Sequence, residues 1–290
     1  MGATARAAGG SKGYAGPIVD VHTHPRLAGF PAIRAQPHRL ADYLRSTRGL
    51  DLRYAAVLVM APSGDLERTR RLNDRALALS SRASPKFLPF CSVHPADGTE
   101  ALAEVDRVAS RGARGLKLHP NTQQFDVAHP AVRAVVTRAA DQSLPVLFDA
   151  YSPFDADQPG KFVRLAMEVP NARLILAHAH GPHFADLLVY EVLARYDWWR
   201  RNVWVDLSAT GPLLAESPFR EQFVWVLRKV GVDRLLFGSD YPLDQPRHAV
   251  EAIAGLGFTQ SELSKIFYAN AARLFGLAKP PRARSRPAGP

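Results

Sequence analysis

Short apolar runs alternate along the chain with longer stretches in which apolar residues return every three or four positions. The runs at 17–21, 54–60, 87–92, 115–118, 145–148, 173–177, 203–207 and 235–238 are rich in Val, Ile, Leu, Phe and Tyr. They lack the apolar–polar alternation of a sheet with one wet face, as strands buried on both faces do. Between them, 66–81, 101–110, 131–142, 184–196 and 219–230 carry helical spacing. Asp65 and Thr99 suit helix N-caps, and Pro130 suits a first helical turn. Eight strands with crossover helices predict an α/β fold, a single-domain (β/α)8 TIM barrel over 17–277, with an open doubly wound sheet as the rival. A helical pair at 261–268 and 270–275 is expected to pack on its outside.

Composition narrows the class. The 290 residues are 47% hydrophobic and 22% charged, which is globular, and no apolar run is long enough to span a bilayer. The single cysteine, Cys91, excludes an internal disulfide framework and is expected to be a small buried hydrophobe. No apolar stretch follows Arg6 and Lys12, so no secretory signal is expected, and the cytoplasm is the expected compartment. The formal charge of +10 suggests nucleic acid until its distribution is read. Arg6 and Lys12 lie within 1–16, and Lys279, Arg282, Arg284 and Arg286 within 278–290; these six leave +4 for 17–277. Both ends are poor in apolar residues and are expected to be flexible tails. The body has no basic stripe, so neither nucleic acid nor membrane is the expected partner. A C-terminal tail that binds an anionic partner is the alternative.

A parallel barrel should gather reactive side chains where its strands end. The first run ends in Asp20-Val21-His22-Thr23-His24-Pro25, where alternation puts His22 and His24 on one face. The fourth ends in Lys117-Leu118-His119-Pro120, the fifth at Asp149, the sixth at His178 and His180, the seventh at Asp206 and the eighth at Asp240. Asp206 has three readings: binding substrate, orienting a ligand or bracing the structure. No phosphate loop, dinucleotide fingerprint, serine-hydrolase elbow or helix-borne His-Glu-x-x-His is present.

With 20–25, 115–120, 176–181, 236–242 and 270–276 together, the chain resembles the amidohydrolase superfamily, in its amidohydrolase-related (amidohydrolase 2) branch of metal-dependent TIM-barrel hydrolases and decarboxylases. The resemblance covers roughly 17–277. It implies one divalent metal ion, with His22 and His24 as ligands and Asp240 as a weaker ligand that takes a proton from the activated water. It implies that His178 orients that water or polarises the substrate. Members usually carry a fifth-strand ligand histidine where this chain has Asp149. A carboxylate there can still ligate, or His119 can supply the missing nitrogen, or Asp149 caps a loop. Zinc is the expected ion, and two His with two Asp would favour manganese or iron. Lys117 has three readings: a carbamylated bridge between two metals, a contact for a substrate carboxylate or phosphate, or a structural ion pair. His119 and His180 are the other candidate substrate contacts, His180 also reading as structural.

The reading is therefore a hydrolase that uses a metal-activated water on a small-molecule amide, lactone or ester. The alternatives are a decarboxylase of an aromatic or unsaturated acid, and a catalytically silenced barrel that binds a ligand or partner. Arg and Lys near the loops 25–37, 121–129, 151–160 and 210–218 lean towards an anionic substrate, and a homodimer is the default assembly.

Overall fold

The computed structural model describes residues 13–28, 38–82 and 84–278. Eight strands follow the chain in order: β1 Ile18–Asp20, β2 Leu52–Leu58, β3 Lys86–Cys91, β4 Gly115–Leu118, β5 Val146–Asp149, β6 Leu174–Ala177, β7 Val203–Asp206 and β8 Leu235–Leu236. They form one parallel sheet in the order β1 to β8, each strand paired with the next. Beyond the last strand, the chain turns back onto the first. Val21 N–H donates to Phe237 O (3.0 Å), Asp240 N–H to His22 O (2.8 Å) and His24 N–H to Tyr241 O (2.7 Å). These bonds bring the segments that follow β1 and β8 side by side. No helix among the described residues is long and apolar enough to cross a membrane.

Each strand buries both faces, and the two faces meet different partners. Leu116, Leu118, Val146, Phe148, Leu174, Leu176 and Val205 pack with helix residues such as Val105, Val135, Phe162 and Phe223. Leu147, Ile175, Ala177 and Leu236 turn the other way and join Val19, Val21, Ala56, Leu58, Leu88 and Phe90 in a second cluster. Because side chains alternate along a strand, Lys117, Asp149 and Asp206 share that second face. The apolar part of this face is what fixes the register of the polar residues.

Helix starts follow the expected chemistry with one exception. Asp65 accepts from Arg68 N–H, and Pro130 opens the helix Pro130–Asp141. Thr99 is the first residue of its helix, while Gly98, with φ of 58°, holds the cap position. A hydroxyl there would have been the usual cap, but a positive φ suits glycine. A second departure lies at the end of the chain. The expected outer pair splits. Leu263 and Ile266 go to the helix-side cluster, whereas Tyr268, Ala271, Leu274 and Phe275 pack on the inner-face cluster. Arg114, just before β4, donates to Phe275 O (2.6 Å), and Arg173, just before β6, donates to Leu274 O (3.0 Å). The last helix, Asn270–Phe275, therefore lies at the strand N-termini, opposite the polar ends. Its apolar stripe closes that side from water. The Phe275 ring meets Phe90 edge-on at 5.6 Å. Phe275→Ala is expected to cost about 3–5 kcal/mol in urea unfolding, the range for emptying a buried aromatic site.

Of the expected tails, 1–12 and 279–290 lie outside the described residues, as do 29–37 of the first loop. Tyr14, within the expected N-terminal tail, stacks on Phe267 at 4.4 Å and donates to Pro17 O (3.0 Å). Cys91 is buried, and burial pushes its thiol far above the ordinary range, so it is a packing residue.

Candidate metal centre

His22 and His24 lie just beyond β1, in irregular chain held by the bonds to Phe237 and Tyr241. The structure brings their Nε2 atoms to 3.1 Å of each other, so they do share one side, although not as residues of a strand. Asp240, after β8, sets Oδ1 3.5 Å from His22 Nε2 and 3.8 Å from His24 Nε2. His178, after β6, completes the centre: His22, His178 and Asp240 offer ligand atoms all within 4.8 Å of one another. The rings of His22 and His178 are 4.9 Å apart.

Two of these residues hold unusual backbone. Asp240 has φ of 55° and His178 of 62°, with Ala179 and His180 also positive. Left-handed geometry costs an L-residue roughly 1–2 kcal/mol, and Asp tolerates it better than most. At Asp240, the N–H bond to His22 O and the acceptance from Leu243 N–H hold the turn. Strain of this kind gathers where a side chain must be aimed.

Electrostatics separates the roles. Burial first, then Lys117 and His178, holds His22 well below the usual histidine range, and burial with His22 and Lys117 does the same to His24. Both are neutral. His22 Nδ1 lies 2.6 Å from the buried carboxylate of Asp206, which can only accept, so the ring proton sits there and Nε2 is bare. Burial raises Asp240 to about 6, although His178 and Lys117 oppose it. Burial would lower His178, but Asp149 and the Asp240 and Asp206 charges win and raise it to about 9. Asp149 is driven low despite burial, because His178, His119 and Lys117 surround it.

The donor set fits a divalent cation. A bare, buried Nε2 faces an ionised carboxylate at 3.5 Å, an arrangement that is repulsive until a cation lies between them. His22, His24, His178 and Asp240 are the residues that could hold it. Asp149 is brought instead to His178 Nε2 (3.3 Å) and His119 Nε2 (3.4 Å), through the same oxygen. Burial lowers His119 to about 4, so it too is neutral. Lys117 is fully buried, and its Nζ has no hydrogen-bond partner among the described residues. Burial lowers its pKa against the pull of Asp149, Asp240 and Asp206. His180 is not brought to this group: its Nδ1 lies 2.8 Å from Ala150 O and its ring is 6.1 Å from Phe162. The left-handed run 178–180 separates two histidines that strand alternation would have kept on one face. Three residues not singled out from the sequence complete the surroundings. Ser208 touches His22, His178 and Asp206. Asp20 binds Ser239 N–H (2.9 Å), Ser239 Oγ (2.7 Å) and Tyr43 Oη (3.0 Å), fastening the β8 turn to β1. Gly238 lies against His22 and Asp206. The Asp-x-Ser and Gly-Ser-Asp spacings after β7 and β8 were the available signals.

A polar centre at the ends of eight parallel strands now stands beside a family-model match: residues 19–277 match Amidohydrolase. The chain belongs to the amidohydrolase family. This family is metal-dependent, in agreement with the donor set of the centre. No curated protein matches the chain in sequence. Among solved structures, the chain is similar in fold to an uncharacterized TIM-barrel protein from Bordetella bronchiseptica, at 19% identity and a TM-score of 0.72, covering 90% of this chain and 98% of that one. It is similar to 2,6-dihydroxybenzoate decarboxylase from Rhizobium, at 17% identity and a TM-score of 0.71, over 90% and 98% of the two chains. It is also similar to a dihydroxybenzoic acid decarboxylase from Polaromonas sp. JS666 with bound manganese and 2-nitroresorcinol, at 15% identity and a TM-score of 0.68, over 90% and 97%.

Proposed function

We propose that this amidohydrolase-family chain is a metal-dependent hydrolase that opens a small anionic amide, lactone or ester, on a closed (β/α)8 barrel spanning 17–277. The observation that carries the reading is the Asp240 carboxylate within 4 Å of two neutral imidazoles, facing a protonated His178. The bonds from Val21, His24 and Asp240 to the opposite segment support barrel closure.

His22, His24 and Asp240 would hold the ion, and the protonated His178 would face it. Bound there, a divalent cation lowers the pKa of water towards ~7 and polarises a carbonyl. The protein's own residues divide the proton work. Asp240, at about 6, is ionised at neutral pH and can accept the proton of the attacking water. His178, at about 9, carries a proton it can give to the leaving nitrogen or oxygen. Asp149 keeps that proton in place by ion pairing. Two neighbours pushed to opposite sides of neutrality form an acid and base pair. The substrate gains hydroxide at the carbonyl carbon and loses the amine or alcohol, and water is consumed. Lys117 Nζ, without a hydrogen-bond partner among the described residues, would receive the anionic part of the substrate.

A second reading is decarboxylation of an aromatic acid. The buried Lys117 favours it by offering a hydrogen-bond donor to a substrate carboxylate, as does fold similarity to the Rhizobium and Polaromonas decarboxylases. His178 would then protonate the ring carbon that loses carbon dioxide.

Metal analysis and a panel of lactones, amides and aromatic acids test both. The hydrolase reading expects about one bound divalent ion and net water addition. Carbon dioxide release without water addition replaces it with the second reading. A protein that takes up no divalent ion after supplementation loses both. His22→Ala is expected to lose the ion and all turnover.

A further inference from the structure

We propose that Asp206 and Ser208 are positioning residues: Asp206 fixes the tautomer of His22 so that a bare Nε2 turns towards the centre, and Ser208 holds the ring of His178 through its Nδ1. The inference rests on the metal-centre reading only for why those nitrogens matter. The tautomer of His22 and the Nδ1–H of His178 themselves follow from donor and acceptor accounting.

Asp206 is fully buried, and its Oδ2 lies 2.6 Å from His22 Nδ1. Burial raises Asp206, but Ser208 N–H and Oγ–H donate to its two oxygens, so it accepts at both and His22 Nδ1 donates. His178 Nδ1 meets the main-chain carbonyl of Ser208 at 3.3 Å and its Oγ at 3.1 Å. The carbonyl is likewise only an acceptor, so this Nδ1 donates as well, while His178 Nε2, 3.3 Å from the Asp149 carboxylate, carries the second proton of the charged ring. The Ser208 hydroxyl has a single hydrogen, and Asp206 Oδ2 at 2.8 Å is its short acceptor. Its lone pairs are left for His178 Nδ1–H and, at 3.2 Å, for a share of His22 Nδ1–H. Ser208 N–H donates to Asp206 Oδ1 at 2.9 Å, so both carboxylate oxygens are held. All hydrogen bonds run one way, from His178 through Ser208 to Asp206, with His22 arriving from the other side. One acidic residue and one hydroxyl after β7 therefore aim two imidazoles from β1 and β6. Partners behind a ligating histidine commonly set its ring orientation and strengthen its metal hold.

The test uses the full chain, metal-free, with histidine labelled by nitrogen-15, and Zn²⁺ as the probe of affinity. In the wild type, imidazole nitrogen shifts are expected to show the Nδ1-protonated neutral tautomer for His22 and a ring protonated at both nitrogens for His178. In Asp206→Asn, the amide can donate as well as accept, so His22 is expected to show mixed tautomers, and Zn²⁺ affinity is expected to fall about 10- to 100-fold. Ser208→Ala should loosen both rings and weaken Zn²⁺, and Ser208→Thr, which keeps the hydroxyl, should recover it. Simple loss of packing would not move the proton between ring nitrogens. A wild-type His22 with its proton on Nε2 overturns the inference, whatever the variants do. So does an Asp206→Asn protein whose nitrogen shifts and Zn²⁺ affinity match the wild type. If the wild type binds no Zn²⁺ at all, the metal reading fails, while the tautomer measurement still decides this one.

Discussion

Asn in place of Asp240 is expected to lower turnover by ~10²- to 10⁴-fold, the usual contribution of a positioned general base, while most of the bound metal stays. The substitution isolates chemistry from architecture. Asn, like Asp, accepts the left-handed φ of 55° at this position. The two backbone bonds that shape the turn, to His22 O and from Leu243 N–H, do not involve the side chain. His22 and His24 remain to hold the ion. What disappears is a carboxylate that burial has raised to about 6, able to take a proton near neutrality. His22→Ala should do the reverse and lose metal and turnover together. Steady-state kcat beside metal content separates the two. Near wild-type kcat in the metal-loaded Asn variant would remove Asp240 from the role of base.

Much of this could be read in the residues before any coordinates. Runs such as Val146-Leu147-Phe148 are apolar at every position because both faces are buried, so their strand character and parallel pairing followed from composition alone. Polar residues that ended those runs pointed to one rim, and His22, His24, Asp240 and His178 do meet there. What escaped depends on backbone geometry that residue type does not encode. The left-handed run at 178–180 sends His180 away to Ala150. His22 and His24 converge through pairing with the β8 turn, a contact more than two hundred residues distant in sequence. Ser208 is an ordinary residue in an ordinary loop until Asp206 is seen beside it. The last helix shows an apolar stripe, but a stripe does not say which end or face of a sheet it will cover. The inner-face cluster had room at the strand N-termini, and Arg114 and Arg173 hold it there.

Gly238→Ala is expected to damage the centre as much as loss of a ligand would, although this residue has no functional atom. A Cβ at this position would lie 2.4 Å from Asp206 Oδ1 and 2.7 Å from His22 Cβ. Neither neighbour can withdraw. Asp206 is held by Ser208 N–H and Oγ, and His22 is held by Asp206 itself. Both are buried among strands that leave no slack. Overpacking of this kind costs about 1–3 kcal/mol in stability. The functional cost should be larger, since displacing a reacting group by ~1 Å can cost 10²-fold in rate. Gly160→Ala supplies the control. Gly160 lies inside the helix Gln158–Glu168, and nothing stands within 4 Å of the added Cβ. There the better helix former should raise stability by about 0.5–1 kcal/mol and leave metal affinity unchanged. Urea unfolding and Zn²⁺ titration on the two variants give the comparison. If Gly238→Ala binds Zn²⁺ as the wild type does, the contact of the segment after β8 with His22 and Asp206 does not position the centre.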